Sequence, residues 1–512
     1  MLARKSLLAF GTDILKAAFG FAATYFVAHY LGASALGTVG HLLSLVGTLA
    51  LVSDLGLHQA FRKCASERPE DNAGYVTALI GAKALLGLLL FGACVMAPVV
   101  DPRLGEQLRQ ADVRGAYWAI AAYYLLNSLS SIPALTFQAR RETAKYTLPG
   151  TMGALVSSGA KIAMALMHAS LTGLAIAYTL ETTVGLVISL WMFRRYPLRR
   201  PNRDEVGHLI RYSRPMVVVT ALAYILPNVD RILLERSWDA REVGYYTAVL
   251  GLVALVQRIP LAAMNIFLPQ AAEDVARGEL REVERRLFVL ERYLLMITVP
   301  VCAAVALASQ AIARAYLGPE FARSGPILAV LAINPIMVAL FEPYNSVVYA
   351  VEKHQYLVPS GLLSLGILLL ADGLLVPRAL GRTALLGLGG LGAAIGGLIS
   401  QAVNGAFQVG IARRYAKVGL YWRAARFAAA GAAMVASGLA VQRIAGSTSA
   451  WAMAAALIVG GAFYLSTLAL LREFTLGDAR LFLQLLHPRR MLDYVTAELL
   501  GTKRNQDARA ED

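Results

Sequence analysis

The residues of this chain that could do chemistry are charges placed where charges are costly. Lys16, Lys83, Lys161 and Arg258 each fall inside an apolar run of membrane-spanning length. A charge at that depth costs about 2.5–3.5 kcal/mol on insertion scales, so it needs a partner, a cavity or a route to the surface. Lys and Arg hold phosphates well, so these four are candidates for lining a cavity that binds an anionic substrate. The other reading is internal neutralisation. Asp13 precedes Lys16 by three residues and shares its helix face, and Glu181 on the neighbouring run can reach Lys161. The acids Asp13, Glu181, Asp230, Glu342 and Asp372 roughly balance the cations. Asp13, Glu181, Asp230 and Glu342 are the candidates for coupling to a proton or sodium gradient or to the membrane potential, with structural pairing as the alternative. Asp230 and Arg231 stand about 100° apart on a helix, so Asp230 is expected to face inward while Arg231 reaches the outer surface.

Other chemistry finds no footing. No catalytic triad can be assembled, and the seven histidines show no metal spacing. Cys64, Cys94 and Cys302 are odd in number and scattered, which gives no disulfide framework. Gly387-Leu388-Gly389-Gly390-Leu391-Gly392 fits a dinucleotide-binding pattern. It lies in an apolar span with no preceding strand, so helix packing through Gly392 and Gly396 explains it better. The run from Gly153 to Lys161 misses the phosphate-loop spacing and lacks the following Ser or Thr. The chain is therefore expected not to be an enzyme and to carry no cofactor. Pro133, Pro227, Pro260, Pro300 and Pro335 interrupt apolar runs, and each frees a backbone carbonyl and permits bending. Pro227 and Pro260 are the candidate hinges.

The elements that must position these groups follow from composition. Of 512 residues, 57% are hydrophobic and 16% charged, with a mean hydropathy of +0.56. A soluble chain carries about 25% charged residues, so this one belongs in lipid. Its net charge of +15 does not point to nucleic acid, because the basic residues sit in short loops between apolar runs. There they set topology. Runs of about 20 apolar residues recur about fourteen times. With the N-terminus inside, inner loops collect about 25 Lys and Arg against about nine outside. That bias predicts a multi-pass protein of the cell inner membrane with both termini cytoplasmic. The basic start Met1-Leu2-Ala3-Arg4-Lys5 leads into a run without a cleavage site and reads as an uncleaved first helix. No loop is large enough for a separate soluble domain.

An internal duplication organises the spans. The stretch His29–Lys63 has a polar hinge, a long apolar helix and the basic exit Arg62-Lys63, and its pattern returns at Glu242-Val243-Gly244-Tyr245-Tyr246, 207 residues later. Tyr146 and Pro149 similarly match Tyr356 and Pro359 at a shift of 210. The expected fold is all-α integral membrane, with two pseudo-symmetric six-helix bundles plus two C-terminal helices. The lobes run over 1–210 and 211–420, the extra helices over 421–472, and a cytoplasmic amphipathic tail with Phe474, Leu481, Phe482, Leu485 and Leu486 over 473–512. Repeats with an even number of spans point the same way. Spans 2 and 8 become a symmetry-related pair flanking the route between lobes.

These features resemble a known family. Tyr30-Leu31-Gly32, Leu36-Gly37-Thr38-Val39-Gly40, Asp54-Leu55-Gly56-Leu57, Arg62-Lys63, Tyr212-Ser213-Arg214-Pro215, Asp230-Arg231-Ile232, Val243-Gly244-Tyr245-Tyr246 and Ile259-Pro260 to Leu268-Pro269 are similar to Wzx-type flippases of the multidrug/oligosaccharidyl-lipid/polysaccharide exporter superfamily. The resemblance covers roughly residues 1 to 420. It implies a fourteen-helix, two-lobed protein that moves undecaprenyl-pyrophosphate-linked oligosaccharide by alternating access, for O-antigen, exopolysaccharide or capsule assembly. Its partners would be that substrate, membrane lipids and a polysaccharide polymerase or export complex, with no nucleic acid. A lipid II flippase, an ion-coupled drug antiporter and a membrane glycosyltransferase or polymerase are the alternatives. The antiporter would need an acidic cavity, and the last would need a large outer loop.

Overall fold

The computed structural model describes residues 2–67, 72–140, 142–380, 383–446, 449–475 and 477–478, and for residues 2–10, 14, 380 and 383 the backbone alone. The tail positions Leu481, Phe482, Leu485 and Leu486 lie outside the described residues. The first helix, α1 (Leu2–Leu49), is two spans joined at Gly32, whose φ of 77° and ψ of −178° no residue with a Cβ adopts comfortably. The break leaves the Ala33 N–H without a helical acceptor, and it donates to Glu320 Oε2 at 3.3 Å. A 3₁₀ turn at Ala50–Ser53 closes the second span. The backbone then reverses at Leu55 and Gly56 and starts the short helix α2 (Leu57–Glu67). The second span therefore ends at Ser53, and the basic exit Arg62-Lys63 lies on a separate helix. The reversal is held from outside, because Gly56 sits against the Ser213 carbonyl and the Met216 side chain with no room for a Cβ.

The remaining helices of the first half are α3 (Asn72–Val100), α4 (Pro102–Gln107), α5 (Ala111–Ala139), α6 (Thr143–Leu166) and α7 (Leu171–Phe193). Capping sets their ends. Asp101 caps α4 ahead of Pro102, and the Asp112 carboxylate accepts from Leu171 N at 2.9 Å and Thr172 N at 3.0 Å at the positive end of α7. The second half repeats the order. A bent pair, α8 (Arg203–Ile225) and α9 (Val229–Ser237), is followed by α10 (Ala240–Ala276), α11 (Leu280–Ile312), α12 (Ser324–Leu331), α13 (Asn334–Ala350), α14 (Leu357–Leu375) and α15 (Gly390–Ala416). Then come α16 (Ala424–Ala445) and α17 (Ala450–Leu470). A minimal hairpin, β1 (Ala379–Leu380) paired antiparallel with β2 (Thr383–Ala384), joins α14 to α15. Residues 385–389 are a loop rather than part of a span, with α15 starting at Gly390; Gly392 and Gly396 pack against Leu375 and Asp372 of α14, as small residues at a helix crossing do.

Ten of the described segments are long and apolar enough to cross a bilayer, and the bent pair α8–α9 makes an eleventh. Helices α6 and α15, with 24 and 27 residues, also have spanning length. With α1 counted on both sides of Gly32, the described helices supply the fourteen crossings that hydropathy predicts. Their lipid-facing character shows in exposed apolar side chains, including Leu88, Val99, Leu370 and Ile458. Such exposure suits hydrocarbon and not water. Two compact units result, residues 16–424 and residues 1–15 with 425–512. Within the first, α3, α5, α6 and α7 pack on one another, as do α10 to α15, with α8 touching both groups.

Candidate substrate-binding cavity

At one end of unit 16–424 the two helix groups are pinned together. Helix α1 after its break and α10 cross so closely that a Cβ on Gly37 would collide with the Ala240 carbonyl, and one on Gly244 with the Ala33 carbonyl. Residues 33 and 240, like 37 and 244, differ by 207, so the contact is reciprocal between copies of the repeat. Around it, Arg236 pairs with Asp101 at 2.7 Å, and Arg103 donates to the Arg236 carbonyl at 3.2 Å. Gln107 bonds Glu235 at 3.1 Å. Tyr316 stacks on Phe21 at 3.9 Å and donates to its carbonyl at 2.6 Å. The Arg236 guanidinium holds the Asp101 carboxyl below the usual carboxylate range. This end is a closed gate.

The opposite end contains two cavities that share Gln138 as a wall residue. The outer one, about 650 Å³, lies between α2, α5, α8, α13 and α14 and is lined by Gln59, Arg62, Lys63, Ser66, Tyr212, Met216, Val219, Tyr349, His354 and Leu357 among others. None of its lining residues is acidic. The inner one, about 230 Å³, is walled by Ser53, Ser128, Ser130, Ser131, Asn127, Tyr124, Tyr224, His58 and Lys83. Lys83 Nζ is buried there, donating to the Ser53 carbonyl at 2.9 Å and pairing with Asp54 Oδ1 at 3.5 Å. Asp54 in turn accepts from the first turn of α2 at His58 N, 3.0 Å. The inner cavity is thus hydroxyl-rich and its cation is offset by a neighbouring acid.

A third feature lies among α9, α10, α14 and α15. Asp230 Oδ2 accepts from Tyr246 Oη at 2.5 Å, and its carboxyl is in hydrogen-bonding contact with that of Asp372. Asp372 is fully buried. With both carboxylates ionised, neither Asp372 oxygen nor Asp230 Oδ1 has a donor among the described residues. Two such groups at close range need a proton or a cation between them.

The sequence candidates scatter over this frame. Of the four cations, Lys83 lines one of these cavities; Lys161 lies 3.5 Å over the Tyr178 ring and not on Glu181, Lys16 is half-buried on α1, and Arg258 is exposed on α10. Among the acids, Asp230 meets Asp372, while Glu342 accepts from Asn345 at 3.0 Å within α13. Glu181 and Asp13 are half-buried on α7 and α1. Pro227 falls in the break between α8 and α9, where the axis turns by 47°, whereas Pro260 lies inside the continuous α10. Sequence reasoning missed Asp54, Tyr246, the partnership of Asp372, and a buried Glu291 that accepts from Tyr344 at 3.2 Å. A search for acids at a span's end would have found Asp54, whereas Glu291 lies about three turns inside α11. Tyr246 stood out only as part of the repeated pattern, with nothing to mark it as a carboxylate's partner.

A closed end opposite a polar cavity, built from membrane-spanning helices, is the architecture of a membrane transporter. Comparison with solved structures agrees on the fold. One likeness is to a lipid II flippase MurJ in an inward closed conformation, at a TM-score of 0.69 and 11% identity, over 91% of this chain and 98% of that one. Another is to an inward-facing multidrug resistance MATE family transporter of the MOP superfamily, at 0.61 and 13%, over 77% and 93%. The sequence profile described as polysaccharide biosynthesis protein matches residues 2–273, and the chain belongs to that family. It is 23% identical over 413 residues, 79% of this chain and 82% of the relative, to a probable low-salt glycan biosynthesis flippase, Agl15, of Haloferax volcanii. The chain is a multi-pass membrane protein with the fold of the MOP-superfamily exporters.

Proposed function

We propose that this protein flips a lipid-linked glycan across the membrane by alternating access, with undecaprenyl-pyrophosphate-linked oligosaccharide repeat units as its substrate and the cell inner membrane as its site. The carrying observation is the outer cavity, which sits opposite the gate and is lined by Arg62 and Lys63 and by no acid, Lys63 being paired with Glu67 on its own helix. That polarity suits an anionic lipid-linked sugar and disfavours a cationic drug. The Haloferax volcanii relative, named as a glycan biosynthesis flippase, and the polysaccharide biosynthesis family support the same reading. The basic-rich loops beside the outer cavity support a cytoplasmic location for it and for both termini, on the side where such lipids are assembled. The Asp230–Asp372–Tyr246 group is the coupling site, taking up a proton or a monovalent cation as the gate opens and closes.

Proteoliposomes carrying a fluorescent undecaprenyl-pyrophosphate oligosaccharide test this. Reconstituted protein is expected to move the glycan to the face where an added lectin binds it, and to do so faster under an ion gradient. Asp372→Asn should retain the fold and lose the response to the gradient. A protein that exchanges cationic dyes and leaves the glycan in place would sink the flippase reading.

A further inference from the structure

The outer cavity is unusual in what its charges are doing. Lys63 is spoken for, held by Glu67 at 3.2 Å. Arg62, one residue earlier, is exposed and makes no hydrogen bond or ion pair among the described residues. Some arginines elsewhere at this end are locally tied, as in Arg199–Glu205, Arg286–Asp274 and Arg285–Glu282, and others stand free in solvent, but none of them lines this cavity. An unpaired guanidinium at the mouth of a cavity without acids presents a planar fork of donors to whatever enters, and bidentate phosphate recognition is what that fork does best.

The inner cavity has the complementary chemistry. Lys83 is neutralised by Asp54 and the Ser53 carbonyl, so it adds no free charge for a phosphate. What remains is a wall of hydroxyls, the amides of Asn127 and Gln138 and the His58 ring. The Ser128 hydroxyl is more than nine-tenths buried and has no partner among the described residues, although burying such a group unsatisfied is costly. A polar ligand with donors and acceptors on every face would satisfy it. A sugar has that surface.

We propose that the outer cavity is a pyrophosphate subsite anchored by Arg62, and that the inner cavity beyond Gln138 takes the first sugar attached to that pyrophosphate. The assignment rests on the flippase reading above. It places the charged linkage at the membrane–water boundary, where desolvation is cheapest, and sends the neutral sugar inward. The apolar residues Met216, Val219 and Leu357 on the α8 and α14 side of the outer cavity offer a surface for the start of the lipid chain.

The test uses full-length protein in nanodiscs and three probes: geranylgeranyl monophosphate, geranylgeranyl pyrophosphate, and the pyrophosphate bearing one N-acetylglucosamine. Wild type should prefer pyrophosphate to monophosphate, with binding that weakens as salt rises. Arg62→Gln should weaken both pyrophosphate lipids by about tenfold or more, the loss expected for a charge-assisted hydrogen bond, with Arg62→Lys recovering part of it. Asn127→Ala should shrink the ratio of sugar-bearing to bare pyrophosphate affinity, a ratio that Arg62→Gln leaves in place. Wild-type affinity in Arg62→Gln, in protein that also flips glycan, overturns the subsite and spares the flippase reading. Wild-type protein that binds neither pyrophosphate lipid and moves no glycan brings down both.

Discussion

Lys83 shows how a residue legible in sequence can change meaning once its neighbours are known. As a cation in mid-span it reads as a substrate contact. In the structure its ammonium is almost fully buried and paired with Asp54, an acid that sits in the turn after another span. Removing one partner of a buried pair leaves an uncompensated charge and costs about 3–5 kcal/mol, whereas replacing both with apolar groups is close to neutral. Lys83→Met is therefore expected to lower the melting temperature in detergent markedly, and the double variant Lys83→Met/Asp54→Leu to recover most of it. A Lys83→Met protein that melts like wild type while losing transport would mean that Lys83 serves the substrate directly. The acid Asp230 fared differently: its inward orientation was expected from its spacing to Arg231, but its partners Tyr246 and Asp372 lie 16 and 142 residues further along the chain.

At the scale of the element, the gate depends on two small residues on each of two helices. Any side chain at Gly37 or Gly244 meets a facing carbonyl, so the pair Ala33/Gly37 and Ala240/Gly244 can approach only as it is. Gly37→Val should force α1 and α10 apart and bias the protein toward the state open at this end. Cysteines at Gln107 and Glu235, whose side chains touch at 3.1 Å, should then cross-link much less than in the parent, with protein levels unchanged; undiminished cross-linking would refute the gate. The ion pair beside them adds a pH dependence. Because Arg236 depresses the folded carboxyl of Asp101, the closing contribution is complete above the ordinary carboxylate range and is lost as pH falls through the lowered value. Cross-linking should accordingly decline under strong acid and hold steady from mildly acidic to neutral pH. The repeat of pattern at a shift of 207 pointed to these helices as partners. That they touch at equivalent residues could not be read from spacing, since it depends on how the halves are turned toward each other.

For the whole molecule, orientation is the property that composition addresses most directly. Lys and Arg cluster in the loops at the cavity end, and the gate-end loops carry fewer. Single reporter cysteines at Arg109 and Arg281, both exposed, check this, because Cys64, Cys94 and Cys302 are buried. An impermeant maleimide added to intact cells should label position 109 at once and position 281 only after permeabilisation. The reverse pattern would invert the proposed direction of transport.

Hydropathy was enough to determine that this chain is a helical membrane protein with about fourteen spans. Those properties are set by the cost of polar backbone and charge in hydrocarbon, which each segment meets by itself. The placement of its functional groups was not determined at that level. Arg62 looked like a topology signal until the fold put it beside an acid-free cavity, and Lys83 looked like a ligand until the turn at Leu55–Gly56 brought Asp54 under it. Whether a buried charge binds substrate or a neighbour depends on distances across helices far apart in the chain, and only tertiary packing sets those.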